Sequence, residues 1–292
     1  MPLYSLAERD LRDHCKRAIE ALELWVRRLI HQKLNASYGV NYLDAQRPNG
    51  DRVVKKDIAV GLARRMASEP IRFPTPIDAA FLEDAVSLLC NPELYRRHFA
   101  VALEEAFPDG REEAHTFLKR LVPIRNSLSH SNPISVHDAY RVLCYTHDII
   151  RSIKEHYKAI NMQQQFNAPT VIRMTDSLGH AVSFSAANRH PDGFGMLDYS
   201  RDDKAILHCG DSLSIEVEVD PTFDPSTYEI EWLIANIGGP PMRGPKFVLL
   251  LEERYVSTRF CAVCRVTSNA RWHKLGTHDD QIDIAYRVLP PN

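Results

Sequence analysis

The chain has 292 residues, 44% hydrophobic and 25% charged, which excludes a wholly disordered protein. Thirty-six Lys and Arg against 38 Asp and Glu leave a formal charge of −2, so no global charge draws it to nucleic acid. The balance is uneven, +3 over residues 1–160 and −5 over 161–292, which allows a local basic face in the first part. Six cysteines, mostly in apolar runs, are too sparse for an oxidised secreted scaffold. The charged N-terminus holds no signal-peptide core, and no apolar run approaches the roughly 18 residues of a membrane span. These features predict a soluble, cytoplasmic protein with no membrane partner.

The first 160 residues follow a helical period. Leu11, Cys15, Ala18, Leu22, Trp25 or Val26, and Leu29 form one apolar stripe, predicting a long helix over about 5–34. Asn35, Ser37 and Gly39 mark its end, and 40–56 reads as loop around the turn Pro48-Asn49-Gly50. A short helix is expected over 57–68 and another from Asp78 to Cys90. Asn91-Pro92 restarts a helix carrying Leu94, Phe99, Leu103 and Ala106. After Pro108-Asp109-Gly110 a helix covers about 112–129. The last begins after Ser135, spaced from Asp138 as in a capping box, and keeps Val136, Tyr140, Leu143, Ile150, Ile153 and Tyr157 on one face to about residue 159.

The period changes after Met162-Gln163-Gln164-Gln165. Residues 212–219 alternate apolar and polar, a half-buried strand. Further strands are expected over 228–235, 247–251, 258–266 and 281–289, separated by Gly/Pro turns. Residues 170–210 are less legible and hold about two more. Short strands without long helices predict a β-sandwich, of immunoglobulin-like kind. The fold class is therefore α+β and multidomain: an all-α bundle over 1–160, a linker over 161–175 and a β-sandwich over 176–292.

The segment 118–135 carries the most informative motif, Arg125-Asn126-Ser127-Leu128-Ser129-His130. Arg125 and His130 are five residues apart, about 7.5 Å of rise and about 140° of rotation, so they do not stack on one helix face. His130 falls in the last turn, where its side chain can turn back toward Arg125, or the pair can bracket a cleft with a second molecule. The chemistry suits RNA. A neutral His can take the proton of a 2′-hydroxyl, Arg can hold the phosphate, and Asn126 can contact the phosphate or orient His130. No metal is needed. Lys119 and Arg120 are candidate RNA contacts on the same helix. The bland alternative is a helix end that collects Asn, Ser and His as caps, with Arg125 in a salt bridge.

These residues resemble the signature of the HEPN superfamily (higher eukaryotes and prokaryotes nucleotide-binding): Arg, a polar residue often Asn, three residues, then His. Leu121 and Ile124 before the Arg, and Ile134-Ser135 before the final long helix, fit that layout. The resemblance implies a metal-independent endoribonuclease that attacks through the 2′-OH and leaves a 2′,3′-cyclic phosphate. It implies a homodimer with a composite site, Arg125, Asn126 and His130 as catalytic residues, and no cofactor. Other members are non-catalytic, or are toxins held by a protein partner.

In the second part, Cys261, Cys264, His273 and His278 have the spacing C-x2-C-x8-H-x4-H, which invites zinc. Both Cys fall in a predicted strand, where a separation of three turns them to opposite faces, so buried free thiols are expected and no metal is assigned. The insertion bearing Asn236, Gly238, Gly239, Arg243 and Gly244 reads as a ligand loop or as an ordinary hairpin connection. About residues 205–290 resemble the sensor domain associated with adenylyl/guanylyl cyclases and SMODS nucleotidyltransferases. The chain keeps Asn236, Gly238 and Cys264, but has two residues between Gly244 and Phe247 and Phe260 at a His position. The ligand-loop reading makes Asn236 and Arg243 the ligand contacts, Arg243 facing an anion; the resemblance implies a β-sandwich sensing a cyclic nucleotide or oligonucleotide activator in antiviral defence or stress signalling. Three whole-protein expectations follow: a signal-gated RNase, a non-catalytic dimeric scaffold, and a toxin whose β domain binds a protein regulator.

Overall fold

The computed structural model describes residues 3–70, 72–162, 167–184, 189–190, 192–235, 237 and 239–291. The chain divides into a helical unit, 1–167, and a sheet-rich unit, 168–292. No described helix is long and apolar enough to cross a membrane.

In the helical unit, α1 runs over Glu8–Tyr38 and buries Leu11, Cys15, Ile19, Leu22, Trp25, Val26, Leu29 and Leu34. It ends at Gly39, whose φ of +78° lets its N–H reach the Asn35 carbonyl. The loop that follows closes through a bridge between Gln46 and Arg52, turning at Gly50. α2 covers Lys56–Ser68. The single helix expected over 78–90 is two pieces, a 3-10 turn at Pro76–Ala79 and α3 at Leu82–Leu89. Capping explains the break. Asp84 turns its carboxylate back to the Phe81 N–H at 3.0 Å, while Arg65 Nε and Arg27 Nε take the Ala79 and Ala80 carbonyls at 2.8 and 2.7 Å.

Asn91 caps α4 (Pro92–Leu94), accepting from the N–H groups of Glu93 and Leu94. A π-helical turn at Tyr95–Phe99 leads into α5, Ala100–Leu103. α6 covers Arg111–Ser129 and accommodates Pro123. α7 covers Val136–Ala159, with Ser135 Oγ accepting from the Asp138 N–H at 3.0 Å. Asp138 answers to the Ser135 hydroxyl rather than its backbone, a variant of the expected box. α1 packs against α3, α6 and α7, with Trp25 and Tyr157 fully buried between α1 and α7.

The sheet-rich unit has ten strands among its described residues: β1 Val171–Asp176, β2 Ala181–Ser183, β3 Gly195–Asp198, β4 Ile206–His208, β5 Ser212–Val219, β6 Tyr228–Ile234, β7 Met242–Arg243, β8 Lys246–Leu250, β9 Ser257–Ser268 and β10 Asp280–Leu289. One sheet has the order β2-β1-β5-β8 and the other β3-β10-β9-β6-β7, with β4 also on β10. β3 and β4 pair with β10 in parallel, one after the other along the same strand. Inward residues of both sheets share one core: Met174, Ile215, Val217 and Phe247 from the first, Trp232, Phe260, Cys264, Ile284 and Tyr286 from the second.

β1 lies largely in the stretch read as linker. Its pairing with β5 shifts register between Val171 and Arg173, and that bulge breaks the period-two pattern. Arg189 and the fully buried Asp280 tie the strand in, since Arg189 pairs with Asp280 and donates to the Val171 carbonyl at 2.8 Å. Asp280 Oδ2 accepts from the Val171 N–H at 2.7 Å. On β3, a Cβ on Gly195 would meet Ile282 Cδ1 and Phe184 Cε1 inside contact distance. We expect Gly195→Ala to cost about 1–3 kcal/mol by overpacking, read as a lower urea midpoint at unchanged slope.

Candidate active site

α6 presents the motif at its C-terminal end, and the structure separates its members. Ile124 and Leu128 face the core, which turns Arg125 and Asn126 along the buried flank. Arg125, 16% exposed, donates from Nε to Glu23 Oε1 of α1 at 2.9 Å. The same carboxylate accepts from Arg27 Nη2 at 2.7 Å. The Arg125 guanidinium lies over the Phe81 ring at 4.5 Å, and Arg65 covers that ring as well at 4.4 Å. Arg125 Nη1 reaches Asn126 Oδ1 at 3.3 Å, and Asn126 Nδ2 donates to Glu83 Oε1 at 2.8 Å. Asn126 is thus tied to α3, not to the His130 ring.

His130 is exposed and is the C-cap of α6. The turn after it is a Schellman closure: Asn132 N–H reaches the Ser127 carbonyl at 2.9 Å and Ser131 N–H the Leu128 carbonyl at 3.2 Å. Ser131 occupies the left-handed position, φ +56°, where glycine is usual. Arg12 of α1 donates from Nη1 to the Ser131 carbonyl at 2.9 Å. Among the described residues no hydrogen bond joins His130 to Arg125. The arrangement is a solvent-facing imidazole on a helix end whose backbone is held, and a motif guanidinium engaged by a carboxylate of α1.

Lys119 and Arg120 are both exposed on α6, and Arg120 lies 5.7 Å from the Phe117 ring centre. Lys119 and His130 are eleven residues apart, about three turns and about 16 Å, on one face. Glu23, Arg27, Phe81 and Glu83 are parts of the site that sequence reading missed. A Glu in the apolar stripe of α1 was the available signal, because carboxylates are rarely buried unpaired.

In the sheet-rich unit, Arg243 on β7 is exposed and pairs with Glu231 at 3.3 Å and Glu229 at 3.8 Å across the β6 ladder. Gly244, φ +104°, offers its carbonyl to Trp232 Nε1 at 2.9 Å, which gives the Arg-Gly turn a packing role. Asn236 and Gly238 lie outside the described residues. The Cys/His set is not brought together. Cys264 faces the core and Cys261 the opposite face of β9, while His273 pairs with the buried Asp279 at 3.2 Å. Burial raises the thiol of Cys264, and burial followed by Asp283 raises that of Cys261; zinc takes thiolates. Among the described residues no group of three or more His, Cys, Asp or Glu is placed to hold a metal ion.

Comparison with protein-family models, curated proteins and solved structures finds no match for this chain.

Glu23→Ala would leave Arg27 and Arg125 without their shared carboxylate. We expect it to cost about 3–5 kcal/mol of stability in urea denaturation, more than Glu23→Gln. Ser131→Gly removes the left-handed strain and is expected to add about 1 kcal/mol, whereas Ser131→Val lowers the midpoint.

Proposed function

We propose that the helical unit is a metal-independent endoribonuclease of HEPN type, with His130 as the proton-transfer group. The observation that supports this most is the exposed His130 ring on a helix end whose backbone is fixed by the Ser131 turn and by Arg12. In this reading His130 takes the proton from a ribose 2′-OH. The 2′-oxygen attacks the adjacent phosphorus, and the 5′-oxygen leaves with a proton returned to it, giving a 2′,3′-cyclic phosphate. With Arg125 Nε on Glu23, Nη1 on Asn126 and the guanidinium over Phe81, Nη2 is the part offered to the charge that builds on phosphate. Two copies would assemble a composite site. We read the two-sheet unit as an immunoglobulin-like sandwich that receives a nucleotide signal or a protein regulator.

The buried Arg125–Glu23 pair favours a second reading, a non-catalytic helical scaffold in which the motif arginine is structural. One assay separates the two. The protein and its His130→Ala variant are incubated with tRNA and total RNA, with and without chelator, alone and with a panel of cyclic nucleotides. We expect cleavage by the unmodified protein and loss of at least about 100-fold in the variant. Equal cleavage by both proteins, or loss of cleavage with chelator, overturns the mechanism. No cleavage under any condition supports the scaffold.

A further inference from the structure

α1 brings Arg12 to the turn after His130 and carries Lys16 one helical turn further on. Two hydrogen bonds join α1 to α6 and the turn that closes it: Arg12 at the Ser131 carbonyl, and Glu23 at Arg125 Nε. As the α1 number rises from 12 to 23 the α6 number falls from 131 to 125, so the helices run antiparallel. Positions 12, 16 and 23 fall within about 40° of one another around α1. Lys16 therefore lies one turn from Arg12 on the stripe that borders the segment from Arg125 to His130, and it is exposed.

Arg9 pairs with Asp13 at 3.9 Å, and Glu23 is shared by Arg27 and Arg125. Among the described residues neither Arg12 nor Lys16 has a carboxylate partner. An anion beside His130 also meets the C-terminal carbonyls of α6, the negative end of its dipole, which repels it unless cations stand close. Arg125 is partly spent on Glu23. Arg12 neutralises the Ser131 carbonyl with one N–H and keeps the rest of its donor fork.

We propose that Arg12 and Lys16 seat the RNA phosphodiester next to His130, making α1 the second wall of the site. This rests on the nuclease reading. Phosphate recognition by such a pair is independent of base sequence and sensitive to salt.

The test uses the full chain carrying His130→Ala and a fluorescein-labelled single-stranded oligoribonucleotide, with anisotropy followed across a salt series. Adding Lys16→Gln or Arg12→Gln is expected to weaken binding roughly threefold to tenfold. Each should flatten the plot of log affinity against log salt by about 0.7. Lys16→Arg should restore both, and Arg9→Gln should change neither. Thermal melts show which variants remain folded, and Lys16→Gln, which breaks no contact, decides the matter if Arg12→Gln disturbs the Ser131 turn. Unchanged affinity and slope in a folded Lys16→Gln protein overturn the proposal and leave the nuclease reading standing. No binding of RNA by the His130→Ala chain at low salt overturns both.

Discussion

The Glu23 carboxylate accepts from two guanidiniums, Arg27 on its own helix and Arg125, 102 residues away. Three charged groups sit together near the bundle interior, and removing the carboxylate would strand two like charges there. The constraint reaches further than this trio. Arg27 also holds the Ala80 carbonyl, Arg125 covers Phe81, and Arg65 holds both Ala79 and Asp84. The unwound link before α3 exists because these cations satisfy carbonyls that a continuous helix would have used. α3 then supplies Glu83, which fixes Asn126. The packing of α1, α3 and α6 and the geometry of the candidate site are thus one electrostatic arrangement.

The sheet-rich unit uses the same device at a different place. Asp280 and Arg189 are buried together and shared with the backbone of β1. Asp176 accepts from Tyr286 Oη at 2.8 Å and pairs with His180 at 2.7 Å, closing the β1–β2 hairpin over the core. Buried carboxylates that each engage several donors give directional contacts that an apolar core does not provide. They set which strand ends meet, while Trp232, Phe247 and Tyr286 fill the space between the sheets.

Much of the helical unit was legible because its apolar residues recur at three and four. α1, α2, α6 and α7 fall close to their expected ranges. β5, β6, β8, β9 and β10 were equally readable from alternation and Gly/Pro breaks. β1 to β4 were less so: they are short, one carries a bulge, and β3 and β4 find their partner on β10, far along the chain. The site divides in the same manner. Arg125, Asn126 and His130 are visible as a local motif, but their partners Glu23, Phe81 and Glu83 come from other helices.

The sequence alone determined the two-part organisation, most of the helices and longer strands, and the helix end that carries His130, because periodicity and capping act within a few residues. Tertiary structure decided that Arg125 is held by Glu23 instead of facing His130, that Asn126 turns to Glu83, and that Arg12 closes the turn at Ser131. Those outcomes depend on which side chains from distant segments share a buried site. There, unpaired charge is costly enough to select one set of partners.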